Sequence, residues 1–75
     1  MKNTENRYLK RFKTMRNVNV HEEIKKAAIR VACKQIEYGE SHGNAIDMFY
    51  SDGCPCIRWQ DGQWWHYNIV DGTWF

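Results

Sequence analysis

A chain of 75 residues forms one domain and buries only about 60% of the surface its unfolded form would expose. That size excludes a multidomain architecture and leaves a core that gains from a staple such as a metal or a partner subunit. Hydrophobic residues at 43% and charged residues at 27% exclude wholesale disorder, and the net charge of +2 divides into +5 over residues 1–20 and −3 over residues 21–75, so the basic character is local.

The opening stretch MKNTENRYLKRFKTMRN holds no apolar run suited to a signal peptide, and no later segment has membrane-spanning length, so a cytoplasmic chain is expected. In a reducing compartment the three cysteines read as thiols or metal ligands rather than disulfides. Residues 1–18 are expected to hold a basic amphipathic helix over 4–16, capped by Thr4, with Tyr8, Leu9, Phe12 and Met15 on one side and Lys10, Arg11 and Lys13 on the others.

The NVN segment breaks that pattern. Asn19 followed by Glu22 has the spacing of a capping box, which predicts a long helix over 19–39. Ile24, Ala27, Ala28, Val31 and Ala32 form the centre of its apolar stripe, Ile29 and Ile36 the flank, and Gly39 or Gly43 its end. From residue 45 the period changes to two, and Asp-Gly pairs at 52–53, 61–62 and 71–72 punctuate a β-meander of about four strands over 45–75. The fold class is α+β, with a helix packed on an antiparallel sheet.

Asp61-Gly62 allows two hairpin registers that place His66 on opposite faces. A three-residue loop over Gln60-Asp61-Gly62 sorts the side chains better. It sets Ile57, Trp59, Trp65 and Tyr67 on one apolar face, and Cys54, Cys56, Arg58, Trp64, His66 and Asn68 on the other. The same loop in the last hairpin pairs Asn68 with Trp74 and Tyr67 with Phe75, which turns Phe75 inward and Trp74 outward.

In this register Cys54 and Cys56 point the same way, and His66 lies across the ladder from Cys56, where facing Cβ atoms are about 4.5–5.5 Å apart. Thiolate and imidazole donors suit a structural zinc ion, with Cys33 or His42 as fourth ligand. Catalytic motifs fall short. HEEIK has Lys25 where a zinc protease needs its second histidine, and His21-x-Glu23 with Pro55-Cys56 lacks the last cysteine of a zinc deaminase, because position 59 is Trp. An enzyme is not expected.

The remaining unusual chemistry is a set of interface residue types, Arg58, Trp64 and Trp74, together with Lys10 and Arg11 of the basic segment. These suggest a binding protein that inhibits a protein partner. The alternative is a nucleic-acid-binding protein that grips phosphates with its basic segment and stacks Trp64, Trp74 or His66 on bases. The small chain with one long helix and the aromatic tail CIRWQDGQWWHYNIVDGTWF resembles small proteins of phages and mobile elements, and among these the anti-CRISPR proteins that inhibit type II RNA-guided nucleases. The resemblance implies a nuclease as partner, impeded in DNA loading or activation, and a bacterial host cytoplasm. The chain is expected as a monomer or dimer, since the edges of a meander can pair between copies.

Overall fold

The computed structural model describes residues 8–75, so the start of the expected first helix, with Thr4, lies outside the described residues. A short 3-10 helix, Leu9–Phe12, leads to strand β1, Arg16–Asn17; helix α1 spans Glu22–Glu37; strands β2 (Ala45–Ser51), β3 (Cys54–Trp59), β4 (Trp64–Asn68) and β5 (Thr73–Trp74) follow. The sheet order is β1-β2-β3-β4-β5. β1 runs parallel to β2, and the other pairs are antiparallel. The α+β class holds, with a five-stranded mixed sheet in place of four strands.

The amino-terminal segment departs most from expectation. Instead of a helix through residue 16, one 3-10 turn places Phe12 in the core, edge to face with Trp59 at 5.7 Å. The chain then straightens beside β2. Arg16 pairs with Asp47 there, and Val18 N–H donates to the Met48 carbonyl at 2.8 Å. Tertiary partners for the guanidinium and the backbone outweigh the weak local preference of a short helix.

Helix α1 is capped two residues later than Asn19-Glu22 suggested and is shorter than the expected 19–39 span. Asn19 takes a left-handed conformation, with φ 64°. The turn is closed instead by Asn17, whose side chain accepts from Val20 N–H and donates to the Val20 carbonyl, both at 2.8 Å. His21 is the cap, its Nδ1 accepting from Glu23 N–H at 3.2 Å. At the other end Gly39, φ 93°, closes a Schellman motif: Gly39 N–H donates to the Ile36 carbonyl and Glu40 N–H to that of Gln35.

The helix packs its Ala28, Val31, Ala32, Cys33 and Ile36 against Ala45, Met48, Ile57, Trp59 and Tyr67 of the sheet. Through this core runs a chain of hydrogen bonds: Trp59 Nε1–H donates to Tyr67 Oη at 2.9 Å, Tyr67 O–H donates to Gln35 Oε1 at 2.5 Å, and Gln35 Nε2 donates to Glu40 Oε1 at 3.2 Å. Burial raises the Tyr67 phenol pKa, so the hydroxyl stays a donor.

The three Asp-Gly pairs adopt three different turns. Asp52 and Gly53, both at positive φ, make a two-residue hairpin between Ser51 and Cys54. Around Asp61-Gly62 the loop has three residues: Gly62 N–H donates to Trp59 O, and Trp59 N–H to Gln63 O. That brings Cys56 opposite His66, as the face-sorting argument required. The last pair sits in a four-residue loop, because Asn68 gathers it: Asn68 Oδ1 accepts from Val70 and Asp71 N–H at 3.0 Å, and Gly72 N–H donates to the Asn68 carbonyl. Tyr67 therefore pairs with Trp74, and Asn68 with Thr73. This is one residue away from the expected register, and it exchanges Trp74 and Phe75 between the faces.

No helix of the described residues is long and apolar enough to cross a membrane.

Candidate functional site

The sheet face turned away from α1 collects the chemistry. Register places Arg16, Asp47, Arg58 and Trp64 on one rung, and two residues along each strand Phe49, Cys56, His66 and Phe75 form the next. The slipped last hairpin adds Phe75, which exchanges both backbone hydrogen bonds with His66.

Four rings cross this face in a row. Phe49 and Trp64 have centroids 5.5 Å apart, Trp64 and His66 5.3 Å, and His66 and Phe75 4.6 Å with planes within 2° of parallel. Trp64 keeps 45% of its surface exposed and Phe75 63%. None of the described residues covers them, since the basic 3-10 turn packs Phe12 on the helix side. Such a contiguous aromatic patch on a small chain is a candidate interaction surface.

Beside the rings, two guanidiniums share one buried carboxylate. Arg58 holds Asp47 Oδ2 through Nε at 3.1 Å and through a second nitrogen. Arg16 meets Oδ1 with Nε at 3.3 Å. The hydrogen bonds from Arg58 hold the Asp47 carboxyl below its usual pKa against the opposing effect of burial. At the other end of the face Asp52 stands 87% exposed on the β2–β3 turn, with Oδ2 3.5 Å from His66 Nε2. That is ion-pair distance, yet Nε2 has no hydrogen-bond partner. The other ring nitrogen, Nδ1, lies 3.2 Å from the Phe75 carbonyl.

The expected metal ligands are only partly brought together. Cys54, Cys56 and His66 share the outer face, but Cys33 is buried in the core between helix and sheet. His42 is held elsewhere, its Nδ1 2.6 Å from Asp61 Oδ2 and its ring against Trp65. Asp61 is itself kept below its usual pKa by the Gln63 N–H and by His42. Among the described residues no group of three or more His, Cys, Asp or Glu side chains is disposed to hold a metal ion. The Cys56 thiol, pushed up to about 11 by burial and by neighbouring Cys54, is a thiol at neutral pH, its Sγ 3.5 Å from the Cys54 carbonyl. As placed, Cys54, Cys56 and His66 share one face, and neither Cys33 nor His42 lies with them as a fourth ligand.

The expected partner-binding residues also separate. Arg58 and Trp64 belong to the outer face. Trp74, inverted by the register slip, packs on the helix side with Tyr38, ring centroids 5.8 Å apart. Lys10 and Arg11 sit on the 3-10 turn, where Arg11 donates to Ser41 Oγ at 2.7 Å and lies over the Tyr8 ring. Sequence reasoning missed Phe49, Phe75, Asp52, Arg16 and Asp47 as members of the face. The alternation of Asp47 and Phe49 against Met48 was a usable signal for two of them.

Comparison of the chain with protein-family models, curated proteins and solved structures gives no match. The functional reading therefore rests on the face itself.

Proposed function

We propose that the chain is a small binding protein that docks a protein partner on its outer sheet face and acts as an inhibitor. One observation carries the reading: a row of aromatic rings with Trp64 and Phe75 exposed, flanked by arginines held in place by a shared carboxylate, lies on the outer face of the sheet. Trp and Arg anchor protein interfaces, and a preorganised surface loses little freedom on association. Arg16 and Arg58 are balanced by Asp47 and Asp52, so the face is neutral, which favours a protein over a polyanion.

The resemblance to type II anti-CRISPR proteins supplies the partner to test, an RNA-guided nuclease whose DNA loading or activation the chain impedes. Purified nuclease, with and without guide RNA, is expected to retain the chain, and Trp64→Ala to abolish retention. Absence of binding in both states removes the nuclease. Tight, salt-sensitive binding to single-stranded oligonucleotides in place of protein reverses the choice of partner class.

Zinc at Cys54, Cys56 and His66 is retained as a separate proposal with no part in docking. About one zinc per chain by elemental analysis, lost in the Cys54→Ser/Cys56→Ser variant, supports it. Metal-free protein with the thermal stability of the metal-supplemented form overturns it.

A further inference from the structure

The docking face is charge-graded along its strands. Its cationic rung, where Arg16 at 76% and Arg58 at 45% side-chain exposure outnumber the one carboxylate of Asp47 that they share, lies at one end. The ring rung of Phe49, His66 and Phe75 is central, and Asp52 is at the other end, on the turn beyond Ser51 and Cys54. The cationic and ring rungs are two residues apart, about 7 Å of strand, and Asp52 lies three positions beyond Phe49.

We infer that this face also binds a second copy of the chain, as a two-fold homodimer. The inference rests on the reading of the face as a protein-docking surface. A two-fold axis lying in the interface plane, along the ring rung and perpendicular to the strands, sets the two faces against each other and brings the cationic end of one copy over the anionic end of the other. Arg16 and Arg58 then face the second copy's turn carboxylate twice over, while rings meet rings at the centre. Self-complementarity of this kind is what an isologous interface requires. The zero net charge of the patch removes the repulsion that opposes pairing of identical surfaces. A face made of one sign of charge would not meet this condition. In such a dimer the surface offered to an unlike partner is covered, so the dimer competes with inhibition and dissociates on dilution.

Sedimentation velocity of the full chain over about 1–200 µM reads the association directly. A concentration-dependent shift from a 9.0 kDa monomer to a dimer is expected. Trp64→Ala is expected to weaken it at least about tenfold. Asp52→Asn, which tolerates the left-handed backbone at that turn, and about 0.5 M salt are expected to weaken it several-fold. Circular dichroism identifies any variant that has lost its fold, and the salt series on the unaltered chain needs no variant. A monomer at every concentration, or a dimer indifferent to all three changes, overturns the inference. A strictly monomeric chain that still binds nuclease through Trp64 leaves the docking reading intact and removes the dimer alone. A Trp64-dependent dimer that ignores nuclease keeps the dimer and removes the nuclease as partner.

Discussion

The two faces of the sheet are built from the same residue types and are covered differently. On the helix side Trp59 and Tyr67 are fully buried, and each polar atom of their rings has a partner in the chain that ends at Glu40. On the outer side Trp64, His66 and Phe75 lie in the same ladder with Phe49 beside them, and Trp64 and Phe75 stay exposed. Aromatic content alone does not distinguish core from interface. What distinguishes them is whether a second layer covers the ring and satisfies its polar atoms.

Substitutions that treat the faces alike should give unequal results. The largest effect is expected for Trp59→Ala, a loss of about 3–5 kcal/mol from the cavity and from the Trp59 donor taken from the Tyr67 oxygen, measured by urea denaturation. Asp47→Ala leaves two guanidiniums without their shared acceptor and is expected to cost about 1–3 kcal/mol; recovery of part of that loss in Asp47→Asn separates hydrogen bonding from charge. Tyr67→Phe removes the donor to Gln35 and the acceptor for Trp59, at about 1–2 kcal/mol. If it proves neutral, the buried chain contributes nothing net. Trp64→Ala is expected to lie within about 0.5 kcal/mol of the unaltered chain while abolishing partner binding, and a large loss of stability would instead assign that ring to the core.

Acid tests the same contrast through Asp47. Its folded-state pKa is depressed below the ordinary value of 3.8, so the unfolded chain takes up protons first as pH falls. The stability linked to Asp47 is thus complete above the ordinary carboxylate value and disappears as pH drops through the folded one. Asp61 is shifted in the same direction. Thermal melts from pH 7 to pH 2 should show a decline confined to the acid end, diminished in Asp47→Asn. An equal decline in that variant removes Asp47 as its source.

Much of the arrangement was legible because local chemistry and face sorting agreed. The loop at Gln60–Gly62 follows from glycine at a left-handed position and from alternation that puts Ile57, Trp59 and Tyr67 together. The helix end at Gly39 follows for the same conformational reason. The last hairpin misled because an identical Asp-Gly pair follows an asparagine, and Asn68 draws two N–H groups to its side chain and lengthens the loop. One residue of slip was enough to replace Trp74 by Phe75 on the outer face. The amino-terminal segment misled for a different reason: the spacing of Tyr8, Phe12 and Met15 is compatible with a helix, and only the open edge of β2 and the carboxylate of Asp47 favour a strand.

By itself the order of residues determined the class of fold, the sheet-facing side of the helix and the pairing of Cys56 with His66, because periodicity and turn glycines act over a few residues. Only the tertiary structure decided which cysteine is excluded from the outer face, which terminal ring joins it, and that two arginines share one carboxylate. Those outcomes depend on groups up to 31 positions apart, as in the Arg16–Asp47 pair. Their energies exist only once the layers have packed.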